Sequence, residues 1–585
     1  MQSIEILLNE KIRAAFTAAG VPAGLAVVKP SDRPELADYQ CNGAMAAAKP
    51  MRKAPREIAG RIAECFDGGD LCEDLEIAGP GFINIKLKDE ALAARASLML
   101  ADGRLGIEPS ASPRRIIIDY GGPNVAKPLH VGHLRSAIIG EAIKRMLRFA
   151  GNEVVGDIHM GDWGYQMGLI IASLEEQSPD LPYFTDEACA PEEPPFTLSD
   201  LERIYPEASA RAKEDEQFRL KALEATHQLQ DGRPGYRALW RQIMDLSVAD
   251  LKRNYANLNV DFDWWKGESD VHDLIAPMVD DLKVKGYAYL DDGALIVDVE
   301  EPDDKKAVPP CMILKSDGSA LYATTDLATL LDREASFAPD QVIYVVDKRQ
   351  GMHFTQVFRC AKKTGIVPED VRLDFLGFGT MNGEDGQPYK TREGGVMRLA
   401  DLIAQINQYM YDKVVENQTV PADEARETAG TIAMAALKYG DLSNQASKDY
   451  IFSIERFASF DGNTGPYLLY TIVRIKSILE KYTEAGGVIG ETVGTPEADS
   501  ERALILDLIR FQDMFADAAE ALAPHRICAY LYGLANHFNG FYRDVRILSE
   551  PDEGKKRGYT ALLALTRRVM ELGIDLLGFE APERM

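Results

Sequence analysis

Between the apolar run Ile116–Ile118 and a long amphipathic pattern ending at Gly151 lies the segment DYGGPNVAKPLHVGHLRS, Asp119–Ser136. A buried-strand run, a glycine-bearing loop and a helix in succession open a doubly wound parallel sheet, in which ligands sit beyond the strands' carboxyl ends. Helical periodicity places Leu134, Ile138, Ile143, Met146 and Leu147 inward. It places Arg135, Glu141, Lys144, Arg145 and Arg148 outward, with Gly151 as the stop. His130 and His133 bracket Val131 and Gly132 at the helix start, where free backbone N–H groups attract anions. Two imidazoles there suit a nucleotide triphosphate, and Gly132 removes a side chain where a purine could lie. A capped helix with two surface histidines is the plainer alternative, and the placement between strand and helix argues against it.

The chain has 585 residues, enough for two to four domains. Residues 1–110 alternate helix and strand patterns and read as a small α+β module. MQSIEILLNEKIRAAFTAAG reads as an amphipathic helix rather than a signal peptide, and GFINIKL alternates Ile83, Ile85 and Leu87 with Asn84 and Lys86. Residues 111–455 carry the α/β pattern, with Gln341–Val346 as a further buried strand and an insertion over about 175–300. Beyond 456 the strand signals stop. Pro466–Lys481, Glu501–Ala523, Ile527–Asp544 and Tyr559–Leu577 read as helices, an all-α C-terminal domain over 456–585.

The formal net charge is −27, which argues against wholesale nucleic-acid binding. The charge is uneven: Glu175–Glu216 holds 13 acidic and 3 basic residues, and the acidic, proline-rich part of it reads as a solvated insertion. Seven scattered cysteines without a C-x-x-C pair fit a reducing compartment and give no support for zinc. No run of 18 apolar residues occurs, so a cytoplasmic protein without a membrane or DNA partner is expected.

HVGH resembles the HIGH signature of class I aminoacyl-tRNA synthetases. The longer strings VAKPLHVGHLRSAIIG and HMGDWGYQMG (His159–Gly168) resemble the arginyl-tRNA synthetases in particular. So do DYQCNGAMAAAK (Asp38–Lys49), ALKYGDLS (Ala436–Ser443), FDGNTGPYLLY (Phe460–Tyr470) and LLGFEAPERM (Leu576–Met585). The resemblance implies a Rossmann-like catalytic domain that joins L-arginine to tRNA(Arg) through an arginyl-adenylate, with ATP and Mg²⁺; a monomer is expected. No metal ligands of the chain itself are implied.

At the position of the second class I signature, GQPYKTREGG (Gly386–Gly395) does not match, and Thr391 stands where its second lysine is expected. The resemblance implies that Lys127 supplies the missing charge beside His130 and His133, with Lys390 and Arg392 as further cations for the leaving pyrophosphate. It assigns His130, Gly132, His133, Gly161 and Asp162 to ATP. Asp119, Asn124, Tyr322, Asp326 and Gln356 are assigned to arginine, the aspartate of the Tyr322–Asp326 pair facing the guanidinium. From the residues alone, Thr324, Thr325 and Asp326 read more readily as the cap of a helix starting there. Gly121 stands where the family usually has serine. Tyr467, Tyr470, Arg474 and Met585 are implied to meet the tRNA, the first three sharing one helical face suited to unstacked bases. Two other classes remain open: a different nucleotidyl transferase, and a synthetase-derived binding protein without chemistry.

Overall fold

The structure, a computed structural model, describes residues 1–185, 191–389, 397–417 and 420–585. The Ser3 hydroxyl accepts from the Ile6 N–H and opens α1 (Ile4–Ala18), which buries Ile4, Leu8, Ile12, Ala15 and Phe16 on one face. Strands β1 (Val28–Pro30) and β2 (Tyr39–Cys41), helices α2 (Gly43–Met51) and α3 (Pro55–Glu64), strands β3 (Glu76–Ala78) and β4 (Phe82–Ile85), and helix α4 (Asp89–Ala101) follow. The strands form one antiparallel sheet in the order β1-β2-β4-β3. Ile83, Ile85 and Leu87 are buried as expected, but Asn84 is buried too. It lies across from Gln40, whose amide donates to it at 2.9 Å, so the polar group is satisfied inside the sheet.

The α/β body runs β5 (Arg115–Tyr120), α5 (Val131–Phe149), β6 (Glu153–Met160), α6 (Tyr165–Gln177), α7 (Leu198–Glu214), α8 (Glu216–Gln230), α9 (Pro234–Ala256) and β7 (Trp264–Gly267). It continues α10 (His272–Val284), β8 (Tyr289–Asp291), β9 (Ala294–Val297), β10 (Cys311–Leu314), α11 (Tyr322–Phe337), β11 (Gln341–Asp347), α12 (Gly351–Thr364) and β12 (Arg372–Phe378). Five strands form a parallel sheet in the order β12-β11-β5-β6-β7, and β8, β9 and β10 form a separate antiparallel sheet. The segment after α6 is not a solvated loop throughout. α7 buries Leu201, Ile204, Ala208 and Ala212, and its acidic neighbours are neutralised locally, Glu176 by Arg211 at 2.6 Å and Glu175 by Lys221 at 3.2 Å.

After β12 come β13 (Met381–Asn382), α13 (Leu399–Asn417), α14 (Ala425–Leu442), β14 (Tyr450–Ile451) and α15 (Ile454–Phe457). The helical body is α16 (Gly465–Glu484), α17 (Asp499–Ile509), α18 (Phe511–Glu520), α19 (Pro524–Asp544) and α20 (Glu553–Leu576), so the expected Glu501–Ala523 helix is two helices meeting at Arg510. α14 packs on α16 and α19, so the helical packing begins before residue 456.

The outward charges expected on α5 need correction. Arg135, Glu141 and Lys144 are buried, because α14 and the end of α20 cover that face. Each is paired there: Arg135 Nε meets Asp441 Oδ2 at 3.0 Å, and Lys144 meets Glu141 at 2.8 Å. Arg145 and Arg148 keep partial exposure. Gly151 ends α5 with φ +92°, as its stop role requires.

Candidate active site

From β5 the chain moves to β6 and β7 on one side, then returns to β11 and β12 on the other. The carboxyl ends of β5 and β11 therefore border the topological switch point, the crevice where open α/β sheets bind ligands. Ser136 of α5 holds this crevice together: its hydroxyl accepts from the Gly121 N–H at 2.8 Å and donates to the Val345 carbonyl at 2.6 Å. Gly121 has φ +70°, and a Cβ there would come within 2.9 Å of Phe262. A serine at this position would be strained and crowded, which accounts for the glycine.

His130 is the N-cap of α5. The Gly132 N–H donates to His130 Nδ1 at 3.0 Å, and the His130 N–H donates to His133 Nδ1 at 3.1 Å. The two rings lie 3.9 Å apart. Burial, then the charge of Lys127, lowers the His130 pKa; burial, then His130, pushes that of His133 down to about 3. Both rings are thus neutral, and with each Nδ1 accepting, each proton sits on Nε2. The helix start therefore presents two neutral Nε2–H donors rather than cations, and the ring nitrogens occupy two of its backbone N–H groups. Gly132 is exposed, and a Cβ on it would meet only the His130 ring, at 2.7 Å.

Lys127 lies near these rings with its Nζ 4.2 Å from the centre of the Tyr205 ring on α7. Lys390 and Arg392 lie outside the described residues. The chain after them is described from Met397, and it runs beside the histidines: the Val131 N–H donates to the Met397 carbonyl at 3.1 Å, and Leu399 N–H to Leu129 at 2.9 Å. Gly161 packs on Asn124, where a Cβ would stand 2.1 Å from the amide oxygen. Asp162 is buried, and its carboxylate accepts from the Ser269 hydroxyl at 2.6 Å and N–H at 3.1 Å; burial pushes its pKa up to about 6. Its carboxylate thus faces the β7–α10 turn, while Gly161 lies at the crevice with Asn124.

The cap at the start of α11 falls to Thr324, whose hydroxyl accepts from the Leu321 N–H at 3.0 Å. That leaves Tyr322, 76% exposed, and Asp326 free to face outward from one side of the helix. Asp326 Oδ2 meets His353 Nε2 of α12, and one turn along α12 the Gln356 amide nitrogen donates to the Pro309 and Pro310 carbonyls at 2.9 and 3.0 Å. Asp119 pairs at 2.6 Å with the fully buried Arg333, which also holds Asp157 at 2.6 Å and donates to the Tyr344 hydroxyl. Asp326 is thus tied to α12 through His353, Gln356 is turned to the Pro309 and Pro310 carbonyls, and Asp119 is turned toward Arg333.

One residue had no signal in the sequence. Glu268, in the turn just after β7, is raised to about 7 by burial and then by the nearby Asp162 carboxylate, with Asp326 adding to it. Glu268 thus joins Asp162 and Asp326 in a group of carboxyls that repel one another near Tyr322, a surrounding that favours a cation.

Three family models match the chain: Arginyl tRNA synthetase N terminal domain over residues 3–87, tRNA synthetases class I (R), catalytic domain, over 96–454, and DALR anticodon binding domain over 468–585. The arginine–tRNA ligase of Agathobacter rectalis is 53% identical over 597 residues, covering all of both chains, and that of Alkaliphilus oremlandii is 54% identical over 576 residues, covering 98% of each. The chain belongs to the arginyl-tRNA synthetases. Solved arginyl-tRNA synthetases of Plasmodium falciparum and Thermus thermophilus share its fold, with TM-scores of 0.83 and 0.79 at 24% identity and full coverage of both chains.

On the helical side of this synthetase, Thr464 caps α16 and sets Tyr467, Tyr470 and Arg474 on one face. Arg474 lies 4.6 Å over the Tyr470 ring, donates to its hydroxyl at 2.9 Å, and donates to Asn539 at 2.9 Å. The Tyr467 hydroxyl donates to Asn536 at 2.7 Å. Asn536, Asn539 and the exposed Tyr542 of α19 complete this face. Met585 is partly buried against the same body. A polar stripe opposite the buried face of α19 was the signal that could have found the two asparagines.

Proposed function

We propose how this chain carries out the reaction of its family, the ATP-dependent joining of L-arginine to tRNA(Arg) with release of AMP and pyrophosphate. ATP lies in the crevice at the β5–β11 switch point, its phosphates meeting the two Nε2–H donors of His130 and His133. Gly132 leaves room for the nucleoside, Gly161 lets Asn124 close against the crevice, and Lys127 supplies charge at the leaving pyrophosphate together with Lys390 and Arg392. Arginine enters with its guanidinium toward Asp326 and Glu268, flanked by Tyr322 and Gln356, and its α-amino end toward Asn124 and Asp119. The reading rests on one observation: the two neutral Nε2–H donors of His130 and His133 stand at the start of α5, just beyond β5 and the β5–β11 switch point.

The arginine carboxylate oxygen attacks the α-phosphorus, and pyrophosphate leaves. The terminal ribose hydroxyl of the tRNA then attacks the adenylate carbonyl, and AMP leaves. No side chain need become a covalent nucleophile, so positioning and preorganised donors carry the rate. Among the described residues no group of three or more His, Cys, Asp and Glu could hold a metal ion. Mg²⁺ would enter bound to the ATP phosphates whose charge it neutralises. Tyr467, Tyr470 and Arg474, with Met585, receive the anticodon region.

Among the described residues no helix is long and apolar enough to cross a membrane. The described cysteines are all free, in keeping with a reducing compartment. The test is ATP–pyrophosphate exchange over all twenty amino acids, each with and without total tRNA. Exchange with arginine alone, and only with tRNA present, is expected. Exchange with another amino acid would overturn the pocket, and silence from folded protein would favour a binding role.

A further inference from the structure

Two side chains of α7, Glu202 and Tyr205, stand three apart and so share a face of the helix. Each reaches a different segment of the ATP site. The Tyr205 ring carries Lys127 Nζ at 4.2 Å, and Glu202, its side chain only 10% exposed, pairs with Arg398 at 3.1 Å. Lys127 precedes the two histidines by three and six residues. Arg398 lies directly across from His130 in an antiparallel bridge. No hydrogen bond or ion pair holds the Lys127 ammonium among the described residues, and Ala126 before it has φ +57°, so the ring is what fixes the lysine's direction.

α7 is anchored well enough to serve as a template. Its N-cap Thr197 and Asp200 bond each other's backbone N–H groups, and Leu201, Ile204, Ala208 and Ala212 pack into the core. The packed positions alternate with Glu202 and Tyr205, so the side of α7 next to the buried stripe is the one that meets the site.

We propose that α7 of the insertion is a positioning element for adenylate formation, its Tyr205 ring aiming Lys127 and its Glu202 carboxylate holding Arg398 in its bridge with His130. This rests on the reading of Lys127 as a cation at the leaving pyrophosphate. Tyr205 and Glu202 touch no substrate. They act through Lys127 and Arg398, so their removal lowers kcat of exchange and leaves arginine KM almost unchanged.

The test is arginine-dependent pyrophosphate exchange by the full-length chain with tRNA present, in Tyr205→Ala, Tyr205→Phe, Lys127→Ala, the double variant Tyr205→Ala/Lys127→Ala, and Glu202→Gln. Tyr205→Ala should lower kcat by about fivefold, the scale of a lost cation–ring contact, while Tyr205→Phe, which keeps the ring, retains most of it. The double variant should be no slower than Lys127→Ala alone, because Tyr205 has nothing left to aim. Glu202→Gln should also lower kcat with arginine KM held. Equal losses in Tyr205→Phe and Tyr205→Ala, or additive losses in the double variant, overturn the proposal while leaving the site reading intact. Full exchange by Lys127→Ala would instead remove the reading beneath it. A fall in melting temperature matching the fall in kcat, with arginine KM rising in step, would assign α7 a structural role alone and overturn the proposal.

Discussion

His353 Nε2 lies 2.5 Å from Asp326 Oδ2 and ties the first turn of α12 to the second turn of α11. The other carboxylate oxygen has no protein partner among the described residues, so one edge of the group is held and the other is open to a guanidinium fork. A hydrogen bond to a charged group contributes about 1.5–3 kcal/mol, so His353→Ala should raise arginine KM by roughly tenfold or more with ATP KM little changed. His353→Gln, which places an N–H donor at a similar reach, should restore much of the loss. Parallel rises in both KM values would show that the histidine merely supports the fold.

Glu268 gives the empty pocket a pH signature. Its pKa, raised to about 7, favours the neutral acid, whereas a bound guanidinium favours the carboxylate. Arginine binding therefore expels a proton below neutrality, and affinity should weaken by about fivefold between pH 7 and pH 6 and level off above 8. The stability of the empty enzyme moves oppositely. A carboxyl raised in the folded state stabilises below the unfolded value near 4.3, and that contribution fades as pH rises through 7. Glu268→Gln should flatten the arginine profile, and an unchanged slope would place the titrating group elsewhere.

How much of this was legible follows from how each residue reaches the site. Asp119, His130, His133 and Asn124 lie within one short motif, and the motif's place between strand and helix exposed the crevice. Glu268, His353 and Tyr205 arrive singly, from the turn after β7, the start of α12 and the inserted α7, with no local pattern to mark them. The reading of α5 failed at Arg135, Glu141 and Lys144 for a related reason. Helical periodicity separates apolar from charged faces, but it cannot foresee that α14 and α20 will bury the charged one and supply Asp441 as a partner. The motif presents the helix N-terminus as an open anion site, whereas the histidine rings themselves satisfy two of its N–H groups.

Arg333 is wholly buried between Asp119 and Asp157, and Asp157 is itself inaccessible to solvent. Removing one partner of such a cluster leaves a buried charge uncompensated, at a cost of about 3–5 kcal/mol. Asp157→Ala should therefore lower the denaturant midpoint far more than Asp326→Ala, whose carboxylate is partly exposed. Asp326→Ala should instead cost arginine affinity with nearly native stability. Guanidinium chloride melts of the two variants check this, and matching midpoints would mean that the Arg333 cluster is not the keystone of the sheet's carboxyl edge.

The face made by α16 and α19 separates tRNA use from the chemistry. Tyr470 is 42% exposed, and it is braced rather than packed: Arg474 lies over its ring and bonds its hydroxyl, while Asn539 fixes the other end of the guanidinium. An exposed ring held in one orientation is suited to stacking on an unpaired base, worth about 1–3 kcal/mol. Tyr470→Ala should thus raise the KM for tRNA by roughly tenfold with arginine and ATP KM unaltered and the melting temperature near that of the parent. Arg474→Ala should do the same with a shallower dependence on salt, since a cation facing phosphates is also lost. Tyr467 differs, because its hydroxyl is engaged by both Asn536 and Asn539 and its ring packs on Tyr532. Tyr467→Ala should therefore lose stability as well as tRNA affinity, and a purely tRNA-directed loss there would reverse the roles assigned to the two tyrosines.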